Sequence, residues 1–189
     1  MMDLPSAQAY LAARVDEFKR CCHAGSPCVF LGAAAFLEYL SKAVVGQDDR
    51  GDGYKTFVKD WLSKVRADYR DFAYKDGTKD LPKQMYHVLR CGIVHSFSLI
   101  PDNRDRKAGG RDRSIVLCHR AEAVSRGLHH LSPYSTTEIS DAALFVAEDF
   151  VDDLAALVNI VFAAAAGDSS LEKHILKWLS DFPPISGGY

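Results

Sequence analysis

The chain has 189 residues, enough for one domain with a substantial core, and we predict a single domain over residues 1–189. Its formal charge of −2 excludes the strongly basic composition of a protein that coats nucleic acid nonspecifically, and 48% hydrophobic with 25% charged residues is typical of a globular protein. No apolar run reaches about 18 residues and no secretory leader is recognisable, so we expect a cytoplasmic protein without a membrane span.

Helical periodicity predicts three helices in the first third of the chain. Residues 6–24 form the first, which ends at Gly25. Residues 27–45 form the second, whose apolar arc is so wide that we place this helix in the middle of a bundle. Glu38 is the one carboxylate within it. Residues 54–69 return to helical spacing and predict the third helix.

The next helix starts near residue 81 and ends in the sequence Arg90-Cys91-Gly92-Ile93-Val94-His95. An arginine can hold a phosphate with two hydrogen bonds, and an imidazole can transfer a proton at neutral pH. The pair is therefore suited to phosphodiester cleavage without a metal. An ideal α-helix separates Arg90 from His95 by about 140°, so they converge only if the helix loosens at Gly92 or if two subunits face each other. The same helical wheel predicts a buried stripe of Leu81, Met85, Val88, Leu89 and Gly92.

A β-hairpin is predicted over about residues 97–118, inserted between helices. Its long polar tip carries five cations, which are candidate substrate-binding residues: Arg104, Arg106, Lys107, Arg111 and Arg113. Acidic residues alternate with these cations, so a solvated loop is favoured over an RNA clamp. Residues 140–166 then predict the longest helix, and residues 169–179 predict a short last one.

An Arg-x4-His motif at the end of a central helix, in a helical chain of this length, resembles the HEPN superfamily. The resemblance implies an all-α HEPN-like bundle, here with a small inserted β-hairpin. It implies a homodimer in which the two Arg90/His95 pairs face one cleft. The implied activity is that of a metal-independent endoribonuclease, in a toxin or antiviral defence factor, that leaves a 2′,3′-cyclic phosphate. RNA would be the substrate, and a protein antitoxin or regulator is a possible partner.

The resemblance also assigns roles to individual residues. HEPN ribonucleases frequently have an acidic residue on an earlier helix, and Glu38 is its counterpart here. They also frequently carry a polar residue directly after the arginine, where this chain has Cys91. The presence of Cys91 at that position weakens the prediction of catalytic activity more than the prediction of the fold.

Other interpretations of the same residues remain open. A HEPN-like domain without catalysis would bind nucleotides, RNA or a protein, and would keep Arg90 and His95 as structural hydrogen-bonding groups. Arg90 would then be an ordinary arginine paired with a carboxylate such as Glu38. Cys91 and His95 are four residues apart, which permits a thiolate–imidazole pair, but the C-terminal end of a helix disfavours a thiolate.

No metal or cofactor is predicted from the cysteine and histidine positions. The five cysteines are odd in number and lack paired CxxC units, so free thiols are expected. Three groups contain possible ligands but none has four at a recognisable spacing: His87 with Cys91, Cys21, Cys22 and His23 with Cys28, and His129 with His130.

Overall fold

Helices dominate the computed structural model, which describes residues 2–46, 51–93 and 114–183. A 3-10 turn at Leu62–Lys64 follows the third helix, and a π-helix at Met85–Ile93 directly continues the fifth. A mainly helical fold is therefore confirmed. The helices are α1 (Leu4–His23), α2 (Cys28–Val45), α3 (Asp52–Asp60), α4 (Asp68–Asp71), α5 (Leu81–Gln84), α6 (Arg120–Ser125), α7 (Ala147–Gly167) and α8 (Ser169–Asp181), and the strands are β1 (Ile115–Cys118), β2 (Pro133–Tyr134) and β3 (Ala142–Val146).

Helix α2 lies at the centre of the bundle, as its wide apolar arc predicted. It packs against α1, α3, the π-helix, α7 and α8. Helix α1 packs along α7, and the side-chain amide of Gln8 donates to Asn159 Oδ1 at 3.0 Å. Helix α1 begins two residues before its predicted start because Asp3, rather than Ser6, is the N-cap, and its carboxylate accepts from the Ser6 amide at 2.9 Å.

Helices α2 and α7 are long and apolar enough to cross a membrane by length and composition. Half of the residues in each of these apolar windows are buried inside the protein. Core helices of a bundle have the same composition, because every face of such a helix meets other apolar side chains. The pattern is therefore only weak support for a membrane span.

A three-stranded sheet accompanies the helices in this mainly helical fold. Residues 142–146, predicted as the start of the long helix, form β3 instead, and all five are buried. An apolar run this short is compatible with either a buried strand or a buried helical turn, so periodicity alone could not separate them. Strand β3 is central in the order β1-β3-β2.

Only one strand of the hairpin predicted over 97–118 lies within the described residues. Residues 115–118 form a strand as expected, but β1 pairs in parallel with β3, with Ile115 opposite Ala143. A parallel pair requires a crossover connection rather than a hairpin turn. The remainder of the predicted hairpin, including its basic tip, lies outside the described residues.

The predicted third helix over 54–69 is interrupted. It divides into α3, the 3-10 turn and α4. At the break, the Ser63 hydroxyl donates to the Lys59 carbonyl, a local bond that competes with the helical ladder. The interruption allows Arg66 and Tyr69 to reach α7.

A buried polar network joins that segment to α7 and to the sheet. Arg66 donates to both carboxylate oxygens of Asp153 at 3.1 and 3.2 Å, and the Tyr69 hydroxyl donates to Asp153 at 2.9 Å. His130 Nδ1 accepts from the Val146 amide at 3.0 Å, so its proton is on Nε2, which lies 2.9 Å from the Tyr69 hydroxyl. The side chains of Arg66, Tyr69, His130 and Asp153 therefore each have a hydrogen-bond partner in this network. Burial lowers the pKa of His130, so its imidazole is neutral at neutral pH.

Candidate functional site

A polar cavity of about 290 Å³ lies among α2, α3 and the π-helix. Side chains from all three elements line it, so the cavity forms only when the bundle is assembled. Its lining residues are Glu38, Ser41, Lys42, Gly46, Gly51, Tyr54, Tyr86 and Arg90. Two of the predicted site residues, Glu38 and Arg90, are among them.

Glu38 and Arg90 form a bidentate ion pair at this cavity. Arg90 Nε donates to Glu38 Oε2 at 2.8 Å, and Arg90 Nη2 donates to Oε1 at 2.6 Å. Lys42 lies one helical turn after Glu38, and its Nζ is 2.8 Å from Oε1. The side chains of Glu38 and Arg90 are only 16% and 19% exposed, so this pair is shielded from most of the solvent that weakens surface ion pairs.

The charges at the cavity do not cancel. Burial disfavours ionisation of Glu38, but hydrogen bonds from Arg90 and Lys42 outweigh burial and leave its pKa below the ordinary value. The hydrogen bond to Glu38 raises the pKa of Arg90, so both groups are charged at neutral pH. One carboxylate therefore faces two cations, and the group carries one surplus positive charge.

Tyr54, which also lines the cavity, carries an unusual buried polar group. The residue is 4% exposed, and its hydroxyl has no hydrogen-bond partner within the part of the chain that the structure describes. Burial raises the pKa of this phenol, and the neighbouring charges that act on it include Glu38 and Arg90. Buried hydroxyls normally have partners, so an orphan hydroxyl beside a cavity calls for an explanation.

Tyr86 forms the aromatic wall of the cavity. Its ring centre is 5.7 Å from that of Tyr54, and the Arg90 guanidinium carbon is 5.5 Å from it. Gly51 lies against the ring, and a Cβ placed there would overlap it. Gly51 also has φ of +73°, so glycine is required both by the close approach and by the backbone.

The π-helix changes the expected geometry of the motif. The predicted buried stripe is confirmed, since Leu81, Met85, Val88, Leu89 and Gly92 are all buried. However, a π-helix pairs each residue with the one five positions later, which is also the spacing of Arg90 and His95. The 140° separation calculated for an ideal α-helix does not describe residues 85–93.

The predicted site residues are only partly within the described chain. Glu38 and Arg90 are brought together, whereas His95 lies outside the described residues, as do the predicted substrate-binding residues Arg104, Arg106, Lys107, Arg111 and Arg113. Cys91 accepts a hydrogen bond from Arg90 Nη1 at 3.4 Å. All five cysteines are free thiols. Among residues 2–46, 51–93 and 114–183, no three His, Cys, Asp or Glu side chains are grouped to hold a metal.

Sequence reasoning missed three cavity residues that are as prominent as the pair it found. Lys42 had a visible signal, because it follows Glu38 by four positions on a helix with few polar residues. Tyr54 and Tyr86 had none, since tyrosines at helical spacing are usual in a core. Only the packing of α3 against the π-helix brings them to the cavity.

Comparisons of the chain with protein-family models, with curated proteins and with solved structures find no match. The functional argument therefore depends on the residues and their geometry.

Removal of the Tyr54 hydroxyl is expected to leave the stability of the ligand-free protein nearly unchanged. Tyr54→Phe removes a polar group without a described partner, so we expect a change within about 0.5 kcal/mol or a small gain. Tyr74 provides the matched control, because its buried hydroxyl donates to the Ser114 carbonyl at 3.0 Å, and Tyr74→Phe should cost about 1 to 2 kcal/mol. Urea unfolding of both variants measures the difference. Equal losses would mean that the Tyr54 hydroxyl already has a partner.

Proposed function

We propose that this chain is a metal-independent endoribonuclease of HEPN type, with Arg90, His95 and Glu38 in its active site. The observation that carries the proposal is the Glu38–Arg90 pair. The arginine of the Arg-x4-His motif is held by a carboxylate from an earlier helix, at 2.6 and 2.8 Å, beside a polar cavity. The resemblance to the HEPN superfamily implied an acidic counterpart on an earlier helix, and Glu38 was the residue assigned to it.

In the proposed mechanism, the neutral imidazole of His95 takes the proton from a ribose 2′-hydroxyl. The 2′-oxygen attacks the adjacent phosphorus, and the bond from phosphorus to the 5′-oxygen of the next nucleotide breaks. The imidazole protonated in this way then supplies the proton to that leaving oxygen. Arg90 stabilises the negative charge that accumulates on the phosphoryl oxygens, and Glu38 orients the guanidinium. The products are a 2′,3′-cyclic phosphate and a free 5′-hydroxyl.

The π-helix supports placing Arg90 and His95 in one site. A five-residue hydrogen-bonding period is rare in helices, and it occurs frequently at functional sites. We further propose a homodimer in which two motifs share a cleft, with the basic segment that contains Arg104 and Arg113 contacting RNA. A role as a toxin or defence factor, with a protein regulator, belongs to the same proposal.

The second candidate is a non-catalytic module of the same class that binds a nucleotide, RNA or a protein. One observation favours it: two donor nitrogens of Arg90 are engaged by Glu38, and the side chain is 19% exposed. A purely structural ion pair would hold the arginine in the same way. The two candidates differ in whether removal of the His95 imidazole abolishes a reaction.

The test is cleavage of a mixed RNA pool in EDTA by the wild type and by His95→Ala, with analysis of the 3′ ends. We expect the wild type to produce cyclic phosphate ends, and the variant to be inactive while it retains the wild-type circular dichroism spectrum and oligomeric state. Equal cleavage by both proteins would overturn the assignment of His95. Two folded but inert proteins would favour the binding module.

A further inference from the structure

We infer that Tyr86 is a positioning residue, which fixes the plane of the Arg90 guanidinium, and that Gly51 holds the Tyr86 ring in place for this task. The effect on catalysis rests on the proposed function, in which Arg90 stabilises the transition state. Immobilisation of the guanidinium by the ring does not depend on that function. The inference rests on the contact between ring and guanidinium and on the packing around the ring.

Hydrogen bonds hold Arg90 only at its edges, because all five N–H bonds of a guanidinium lie in its plane. Glu38 accepts from Nε at 2.8 Å and from Nη2 at 2.6 Å, and Cys91 Sγ accepts from Nη1 at 3.4 Å. Such bonds weaken steeply only below about 120°, so they tolerate some tilting out of the plane. Glu38 Oε1 is also shared with Lys42, whose Nζ is 2.8 Å away. A contact on the face of the guanidinium is therefore needed to limit its tilt.

The Tyr86 ring supplies a contact of this kind. Tyr86 precedes Arg90 by four positions on the π-helix, and the centre of its ring is 5.5 Å from the guanidinium carbon. At this distance the face of an aromatic ring attracts a cation, and a planar guanidinium can stack on it. Glu38 and Tyr86 therefore have different effects. The carboxylate sets the orientation of the guanidinium within its plane, and the ring sets the plane.

The start of α3 fixes the Tyr86 ring in turn. The backbone of Gly51 lies so close to the ring that a Cβ at this position would overlap it. Two side chains of the first turn of α3 also contact the ring: the centre of the Tyr54 ring is 5.7 Å from its centre, and Lys55 Nζ is 5.8 Å from it. Any side chain at position 51 would therefore displace Tyr86 from its place beside Arg90.

The inference is tested by NMR of the Arg90 Nε–H group, which is identified by its absence from the spectrum of Arg90→Lys. We expect slow hydrogen exchange of this group in the wild type and in Tyr86→Phe, which keeps the ring. Exchange should be at least about tenfold faster in Tyr86→Leu, which loses the cation–π contact. The matched control is Tyr10→Leu, because Tyr10 faces Arg14 at the same four-residue spacing, with 5.2 Å between ring centre and guanidinium carbon. It should leave the exchange of Arg90 unchanged.

A second pair of variants tests the role of Gly51. Gly51→Ala should displace the ring and accelerate the exchange of Arg90 as Tyr86→Leu does. Gly127→Ala is its control, since Gly127 also has a positive φ, +66° against +73°, but a Cβ added there meets nothing within 4 Å. Backbone strain is thus similar in the two variants, and only Gly51→Ala should affect Arg90. Equal exchange in the two would overturn the role of Gly51.

RNA cleavage in EDTA provides the catalytic measurement. Tyr86→Leu should lower kcat by roughly 10- to 100-fold with little change in KM, because the guanidinium is misplaced in the transition state. Tyr86→Phe should retain the wild-type rate. Unaltered exchange of Arg90 or a wild-type kcat in Tyr86→Leu would overturn the inference, as would equal losses in Tyr86→Phe. A wild type that cleaves no RNA would refute the ribonuclease proposal, whereas the exchange rates would still decide whether Tyr86 holds Arg90.

Discussion

Replacement of Arg90 by lysine is expected to lower the rate of RNA cleavage by roughly 100- to 1,000-fold, the effect of losing one preorganised donor to a transition-state anion. Lysine preserves the positive charge, so a large loss would have to come from geometry. A guanidinium uses two nitrogens on Glu38, at 2.6 and 2.8 Å, and its third, Nη1, donates to Cys91 at 3.4 Å, so all three are held in one plane. One ammonium cannot reproduce that planar arrangement.

The matched control for this prediction is Arg126→Lys. Arg126 also pairs with a glutamate, Glu122, at 2.9 Å, but its side chain is 54% exposed and does not line the cavity. We expect its cleavage rate to equal that of the wild type. Initial rates in EDTA, together with urea unfolding of each variant, separate a catalytic effect from a loss of folded protein. If Arg90→Lys cleaves RNA at the wild-type rate, Arg90 has only a structural role, and the non-catalytic binding module is favoured.

Acid is expected to destabilise the protein through His130. Burial lowers the pKa of this imidazole to about 3, from an ordinary value of 6.5, so the folded protein holds it neutral. Between these two values the unfolded chain binds a proton that the folded chain does not. Stability from this group is therefore complete above pH 6.5 and falls by about 1.4 kcal/mol per pH unit below it, on the order of 5 kcal/mol in total.

The physical reason is the hydrogen-bond arrangement around the ring. His130 Nδ1 accepts from the Val146 amide at 3.0 Å, and a protonated imidazole cannot accept there. Protonation would thus break the link between the ring and β3, and it would place a charge in the core beside Phe145 and Phe150. Burial also raises the pKa of Asp153, whose protonation acts in the opposite direction, so the imidazole must be isolated by a variant.

Urea unfolding of the wild type and of His130→Phe across pH 4 to 7 measures this effect. The variant is less stable at pH 7, because Tyr69 and Val146 lose a partner, but it lacks the titrating group. We expect the stability difference between the two proteins to shrink steadily as the pH falls below 6.5. A difference that stays constant with pH would show that His130 titrates equally in the folded and unfolded states.

The sequence predicted the parts of this fold that depend on local periodicity. Apolar residues at helical spacing identified α1, α2 and the buried stripe of the motif helix, because one face of each helix meets the core. The contact of Glu38 with Arg90 could not follow from spacing, since the two residues are 52 positions apart, and it was expected only as the ordinary pairing of an arginine with a nearby carboxylate. Glu38 was found because a lone carboxylate in an apolar helix is conspicuous.

The features that the sequence did not predict correctly are those that depend on tertiary contacts. Residues 142–146 are buried on both faces, so their sequence shows neither the alternation of a half-buried strand nor the stripe of a surface helix. The π-helix differs from an α-helix by one residue per hydrogen-bonded turn, which an apolar pattern cannot resolve. The cavity required knowledge that Tyr54 on α3 and Tyr86 on the π-helix pack together.

The packing of α1 against α7 determines when the core can be completed. The two helices are joined by Gln8 and Asn159, which are 151 residues apart, so α1 has only α2 to pack against until most of the chain has left the ribosome. Contacts this distant in sequence slow the search for the native state and prolong the exposure of apolar surface. The apolar surface that α1 and α2 share with α7 is therefore buried late in synthesis, and the part of the chain made before α7 is the part most exposed to aggregation.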